Sequence, residues 1–291
     1  MRRSWLAMAL VLTATACGGS PATPDGAPGD GAPDDGAPGD GAATDGVPSG
    51  DGPTPRRLPP HNAGLDYQLG GAYPPPAAAG IVARDREALP APGRYNVCYV
   101  NGFQAQPGDD AMWAAMDLIL EDASGQPVID PDWNEALLDV RTPTKRAAIA
   151  AIVGGWIAGC KRAGFDAIEI DNLDSYARSR GLLTEDHAVA MMRLFADAAH
   201  AEGLPIGQKN AAELVGRRAE LGTDFVVTEE CNRYRECDVY VGAYGDDVLV
   251  IEYRRADFTT GCTTWGARLS IALRDLDLVP AGQPGYVYDG C

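Results

Sequence analysis

Two apolar runs that end in carboxylates constrain this chain more than any other part of it. Phe165-Asp166-Ala167-Ile168-Glu169-Ile170-Asp171-Asn172-Leu173-Asp174-Ser175-Tyr176 reads as a buried strand whose exit carries Asp171 and Asp174. Phe225-Val226-Val227-Thr228-Glu229-Glu230 repeats the pattern further along. Acidic groups at the exits of parallel strands belong to the mouth of an α/β barrel, where the loops after each strand converge.

The rest of the chain supplies partners for these two. Eight apolar segments read as strands, at 67–69, 80–85, 95–100, 136–141, 165–171, 204–209, 224–229 and 248–253. Helical signals separate several of them. Thr142 caps a helix with Pro143 at its first position and Gly164 as its stop, and Thr184 caps another with Val189, Met192, Phe195 and Ala199 on one face. Strand and helix in alternation predict a single (β/α)8 TIM-type barrel over residues 58–291. The size agrees with the ~250 residues typical of that fold. A doubly wound open sheet fits less well, because no Gly-rich phosphate loop follows any strand.

Period-two alternation assigns faces. Ala167, Glu169 and Asp171 point to the barrel axis, with Ile168 and Ile170 toward the helices; Phe225, Val227 and Glu229 point in, with Val226 and Thr228 out. The same rule sends Asp139, Arg141 and Glu252 inward, and Lys209 closes the sixth strand beside Asn210. The expected axial cluster is Asp139, Arg141, Glu169, Asp171, Lys209, Glu229 and Glu252. Charges that close must pair or shift their titration.

The three histidines, His61, His187 and His200, do not follow strands, which leaves a Ser-His-Asp or Cys-His engine without its base. Chemistry then falls to carboxylates. Asp171 is the candidate nucleophile or base and Glu229 the candidate general acid, with Asp174 and Glu230 as rivals. Two carboxyl groups flanking a bond are what glycoside hydrolysis uses. Tyr67, Tyr99, Phe103, Trp133, Tyr176, Tyr234 and Tyr253 lie near strand ends, where rings can stack on sugar faces. Arg141, Asn172, Asp174, Lys209, Asn210 and Glu252 complete the candidate substrate-binding set with Tyr67, Tyr99, Tyr176 and Tyr253.

The first residues read as an address. Arg2 and Arg3 precede an apolar run from Trp5 to Ala16, too short to span a bilayer, and Ala14-Thr15-Ala16-Cys17-Gly18 has the form of a bacterial lipobox. Residues 1–17 are therefore expected to be a lipoprotein signal peptide with Cys17 as the lipidated residue. Residues 18–57 are Gly, Pro, Ala and Asp in the main, a composition that cannot bury a core and is expected to act as an extended linker. The expected location is the bacterial cell envelope, lipid-anchored or secreted, with membrane contact only through lipid.

Net charge is −17. Seven aspartates of the linker and Arg2, Arg3, Arg56 and Arg57 lie outside the barrel, so residues 58–291 keep 34 acids against 20 bases, a balance of −14. That argues against nucleic acid and anionic polymers and favours a neutral or cationic polysaccharide. No cofactor is implied. With Cys17 lipidated, six cysteines remain. Cys231 with Cys237 and Cys262 with Cys291 read as disulfides, Cys98 and Cys160 as either a third or two buried thiols, and no metal-type CxxC spacing occurs.

Leu65-Asp66-Tyr67-Gln68-Leu69, Cys98-Tyr99-Val100, Leu138-Asp139-Val140-Arg141, Glu169-Ile170-Asp171-Asn172-Leu173-Asp174-Ser175-Tyr176, Lys209-Asn210, Glu229-Glu230-Cys231 and Ile251-Glu252-Tyr253 stand in the order of a known family. The chain resembles glycoside hydrolase family 114, endo-α-1,4-polygalactosaminidases on an α/β barrel. The resemblance implies cleavage of α-1,4-linked galactosamine polymers by Asp171 and Glu229. Thr228 stands where the family often has Asn, and the Asn101–Gln106 loop resembles a subgroup. A barrel that only binds carbohydrate, and a glycosidase acting on another glycan, are the alternative readings.

Overall fold

Parallel strands with intervening helices build the molecule, a computed structural model that describes residues 56–291. The expected signal peptide, Cys17 and all but the last two residues of the expected linker lie outside the described residues. The strands are β1 (Gly64–Tyr67), β2 (Ala79–Asp85), β3 (Tyr95–Asn101), β4 (Gln104–Ala105), β5 (Ala136–Leu137), β6 (Ala167–Asp171), β7 (Ile206–Lys209), β8 (Phe225–Glu229), β9 (Val248–Glu252), β10 (Ser270–Arg274) and β11 (Tyr288–Gly290). The helices are α1 (Asp110–Ala115), α2 (Pro143–Ala163), α3 (Ser175–Arg178), α4 (Glu185–Ala201), α5 (Arg218–Leu221), α6 (Cys231–Tyr234), α7 (Cys237–Tyr244) and α8 (Arg255–Trp265).

The large sheet runs β1-β2-β3-β6-β7-β8-β9-β10-β11. Its first eight members are parallel, and β11 adds antiparallel to β10. Side chains draw the two ends of the parallel set together. Arg274 Nη1 of β10 lies 3.6 Å from Asp66 Oδ1 of β1, and Ala63 N–H donates to Ser270 Oγ at 3.1 Å. The result is a nearly closed TIM-type barrel, as expected.

Two of its eight strands differ from the expectation. The segment 136–141 is not a barrel strand, because β3 pairs directly with β6, from Val97↔Ala167 to Asn101↔Asp171. Only Ala136–Leu137 is extended, antiparallel to β4. The chain between β3 and α2 folds back on itself: Leu138 N–H donates to Phe103 O at 2.9 Å and Leu120 N–H to Leu137 O at 2.7 Å. Its apolar residues Leu120, Leu137, Leu138 and Val140 join the helix-side core with Ile149 and Val153 of α2. Alternation serves a buried loop edge as well as a strand, so period alone could not separate them. The missing eighth strand is β10, Ser-Ile-Ala-Leu-Arg, buried at every position. β1 also begins and ends earlier than the Tyr67–Leu69 expected.

The face assignments hold for β6 and β8. Tyr67, Ala83, Val97, Ala167, Phe225, Val227 and Ile251 pack together inside the barrel, while Ile168 and Ile170 pack outward with Phe195 and Met192 of α4. Inside, a Cβ on Gly207 would lie 2.7 Å from the Phe225 ring on the next strand, so only glycine leaves room for that ring. On β9 the parity is reversed from the expectation. Leu249 and Ile251 face in and Val248 and Val250 face out, which puts Glu252 outside and Tyr253 inside.

The helix caps are as read. Thr142 accepts from Lys145 N–H and Gly164 ends α2 at φ 99°; Thr184 and His187 form a reciprocal cap at the start of α4. Three disulfides join Cys98 to Cys160, Cys231 to Cys237, and Cys262 to Cys291. The first ties β3 to α2 and decides between the two readings left open for that pair. No helix among the described residues is long and apolar enough to cross a membrane.

Candidate active site

β6, β7 and β8 are neighbours in the barrel, and their inward positions Glu169, Asp171, Lys209 and Glu229 converge. Lys209 is the hub. Its Nζ lies 3.1 Å from Glu169 Oε1, 3.3 Å from Asp171 Oδ1 and 3.4 Å from Glu229 Oε2. It also donates to the Tyr67 hydroxyl at 3.0 Å, which in turn donates to Glu169 Oε1 at 2.6 Å. Side-chain exposure rises from 0% at Glu169 and 3% at Lys209 to 19% at Asp171 and 27% at Glu229. The cluster therefore has a dry floor and two carboxylates at its wet rim.

Each rim carboxylate has its own donors. Asp171 Oδ2 accepts from the Tyr99 hydroxyl at 2.7 Å and Oδ1 from Asn172 N–H at 2.8 Å. Glu229 Oε1 accepts from the Tyr253 hydroxyl. Asn210 Nδ2 donates to Glu229 Oε2 at 3.3 Å, and Asn210 Oδ1 accepts from the Glu229 N–H at 2.8 Å. The residues that follow the three strands, Asn172, Asn210 and Glu230, all have left-handed backbones, at φ 65°, 46° and 57°. Such turns are tolerated by Asn and costly for Glu, by on the order of 1 kcal/mol, and they throw the chain outward as soon as the functional residue is placed.

The electrostatics separate Asp171 from Glu169. Burial pushes Asp171 up, but the Lys209 charge and the bonds from Tyr99 and Asn172 outweigh it, and the carboxyl sits below its ordinary range. Burial also dominates at Glu169, raising it to about 7 in spite of Lys209. Burial opposes the Lys209 charge, yet Asp171, Glu229, Tyr67 and Glu169 hold its titration well above the usual lysine value. Burial raises Tyr67, Tyr99 and Tyr253 above the ordinary phenol, helped by the neighbouring carboxylates, so they remain donors.

An open cleft of about 380 Å³ meets the cluster at Glu229, Asn210 and Tyr253 and is lined further by Asp174, Glu213, Glu230 and Glu236 together with Trp133 and Tyr234. Trp133 and Tyr234 are 64% and 60% exposed, unusual for rings of that size. Asp174 is held by a two-bond fork from Arg178, at 2.8 and 3.0 Å. Arg178 also reaches Asn172 Oδ1 at 3.2 Å and pairs with Asp130. The Tyr176 hydroxyl donates to Glu213.

Tyr67, Tyr99, Lys209, Asn210, Asn172 and Tyr253 thus gather at or beside Asp171 and Glu229, with Asp174 and Tyr176 on the adjoining loop. Three expected members of the axial cluster do not join them. Arg141 forks onto Asp139 at 2.8 Å through both Nε and Nη2, and Lys145 Nζ lies 3.0 Å from the same carboxyl. Asp139 and Arg141 sit on the loop that replaced the expected fourth strand, and Lys145 in the first turn of α2. Glu252 faces the helices, where Asn232 N–H and Nδ2 both donate to Oε1 at 2.9 Å. With Cys231 and Cys237 it forms the cluster of metal-ligating residue types found among the described residues, but both sulfurs are spent in the disulfide. His200 pairs with Asp224 at 2.7 Å, away from the cluster.

The sequence reading passed over Glu135. Its Oε2 accepts from Asn101 Nδ2 at 2.9 Å, and Asn101 is the ladder partner of Asp171. Burial, with Asp171 among its negative neighbours, raises Glu135 to about 7. It lies on the irregular loop, where no periodicity marks it.

The family model for glycoside-hydrolase family GH114 matches residues 48–291. The chain belongs to this family. It is a glycoside hydrolase on a TIM-type barrel. Among solved structures it is similar to Ega3 of Aspergillus fumigatus, solved in complex with galactosamine, at 21% identity and TM-score 0.65, over 83% of this chain and 100% of that one. It is also similar to the glycoside hydrolase domain of PelA from Pseudomonas aeruginosa, at 15% identity and TM-score 0.51, over 76% of this chain and 97% of that one. No match was found among curated proteins. At these identities the two structures speak for the fold of this glycoside hydrolase, and the site rests on its own geometry.

Proposed function

We propose that this glycoside hydrolase cleaves α-1,4-linked galactosamine-type polysaccharide with Asp171 as nucleophile and Glu229 as general acid. The observation that carries the reading is the pair of partly exposed carboxylates beside one buried ammonium, Lys209. Lys209, Tyr99 and Asn172 keep Asp171 ionised, as a nucleophile must be. Its carboxylate attacks the anomeric carbon while Glu229 gives its proton to the departing glycosidic oxygen; Glu229 then takes a proton from the water that opens the glycosyl ester.

Retention of anomeric configuration follows from spacing. Asp171 Oδ1 and Glu229 Oε2 lie 3.3 and 3.4 Å from the same nitrogen, so their separation cannot exceed the sum of those distances. That bound, on one oxygen of each carboxyl, favours the ~5–5.5 Å of retaining enzymes over the ~6.5–9.5 Å of inverting ones.

The substrate class rests on charge. Of the acids that line the cleft, Asp174 and Glu230 are paired with Arg178 and Arg233, and Glu213 and Glu236 beside Glu229 favour a sugar bearing an amine. Ega3, with the same fold, was solved with galactosamine. The Ala14–Cys17 lipobox and the Gly/Pro/Asp-rich stretch after it support a protein tethered by lipid in the cell envelope and held off the membrane by a spacer.

Reducing-end release from α-1,4-galactosamine polymer, acetylated and partly deacetylated, tests the function. Release by wild type and none by Asp171→Asn is expected. Binding without release by wild type would move the protein to the carbohydrate-binding reading. Loss of the membrane-bound fraction in Cys17→Ser cells is the expected result for the anchor.

A further inference from the structure

The ammonium of Lys209 has three N–H bonds and four oxygens around it: the Tyr67 hydroxyl at 3.0 Å, Glu169 Oε1 at 3.1 Å, Asp171 Oδ1 at 3.3 Å and Glu229 Oε2 at 3.4 Å. One acceptor must go without. The distances follow the burial, shortest at the dry floor and longest at the rim, so the acceptor left over is Glu229. A protonated carboxylic acid needs no ammonium N–H, whereas an ionised carboxylate held by Asn210 and Tyr253 alone is short of charge.

We propose that Glu169 is a positioning residue that, with Tyr67, engages two of the three N–H bonds of Lys209, turns the third to Asp171 and leaves Glu229 to keep the proton of the general acid. The inference rests on the Asp171–Glu229 reading and deepens it. Glu169 never reaches substrate: it is fully buried, and its Oε2 is an unpartnered atom. An orphaned carboxylate oxygen inside a barrel is costly unless its charge serves the neighbouring groups.

The titratable and charged groups that face Glu169 are Tyr67 on β1, Tyr99 on β3, Asp171 on β6 and Lys209 on β7, while Glu229 on β8 and Tyr253 following β9 reach the cluster through Lys209 and each other. β2 and β10 contribute Ile81, Ala83 and Ala272 to the interior, and the Arg274 charge is committed to Asp66 and Asp275. Burial lifts Glu169 to about 7.

Two variants test this in the intact chain. Glu169→Gln keeps the shape and removes the charge. Tyr67→Phe removes one acceptor, so that three N–H bonds meet three carboxylates and Glu229 gains one. Both are expected to move the alkaline limb of the pH–rate profile down by about one pH unit. The titration midpoint of the Glu229 carboxyl, followed by 13C NMR and assigned by its loss in Glu229→Gln, is expected to fall with it. A merely structural Glu169 would lower the melting temperature and leave both unchanged. An unmoved midpoint in either folded variant overturns the proposal, and if Glu169→Gln does not fold, Tyr67→Phe decides. Should wild type cleave no galactosamine polymer, the function reading fails, while the NMR midpoints still decide this one.

Discussion

The hydroxyl of Tyr253, at the end of β9, donates to Oε1 of Glu229 on the adjacent strand β8. That bond, with Asn210 on the other oxygen, fixes both oxygens of the Glu229 carboxyl. The acid is therefore aimed by two neighbouring strands, and each can be removed separately.

Tyr253→Phe is expected to leave the fold intact and lower kcat roughly tenfold, the worth of one hydrogen bond to a charged or charge-developing group. Steady-state kinetics beside a thermal melt check this. An equal effect on KM alone would mean that Tyr253 contacts substrate instead.

Asp171→Asn and Glu229→Gln are each expected to lower kcat by about 10²–10⁴-fold or more. Added azide should restore Asp171→Gly in part, by replacing the lost nucleophile, with the glycosyl azide of opposite configuration as product. NMR of the wild-type product should show the anomer of the substrate.

Trp133→Ala and Tyr234→Ala should raise KM on long polymer by about two- to tenfold, from the ~0.5–1.5 kcal/mol of a lost stacking contact. The effect should shrink on the shortest oligomers, which cannot reach the rim. Equal KM on every chain length would remove both rings from the binding site.

Stability should peak at about pH 4–5. Burial pushes Asp139 up, but bonds from Arg141 and Lys145 bring it down to about 2, so its contribution is present above its ordinary 3.8 and is lost as pH falls through about 2. Glu169 and Glu135 run the other way. Their folded values of about 7 lie above the ordinary 4.5, so the folded state holds protons that the unfolded chain releases, and stability declines as pH rises from 4.5 to about 7. Melts across pH check this, and Glu169→Gln should flatten the decline on the alkaline side.

Replacing Cys98 and Cys160 together by Ala should cost about 2–5 kcal/mol in denaturant unfolding. The bridge spans 62 residues and ties β3 to α2, so its loss releases a long loop. Activity at low temperature should survive, since neither sulfur touches the Lys209 cluster.

Much of this molecule was legible along the chain because its signals are local. Thr142, Pro143 and Gly164 mark α2 by their own backbone requirements, and apolar alternation set the faces of Ala167–Asp171 and Phe225–Glu229. Asp171, Lys209 and Glu229 could be placed at one mouth because each is the last inward residue of its strand. Other parts depended on contacts between distant residues. Ala136–Arg141 alternates like a strand, yet the ladder beside β3 was taken by β6, and Ser270–Arg274 closed the barrel instead. A one-residue change in parity on β9 exchanged Glu252 for Tyr253, because alternation fixes which residues share a face but not which face meets the core. The sequence by itself determined the strands that carry the site, the helix caps and the acidic exits, all properties of a few neighbouring residues. Only the tertiary structure decided that one ammonium would be shared among Tyr67, Glu169, Asp171 and Glu229, because that sharing is a matter of three-dimensional distance and burial, which no spacing along the chain encodes.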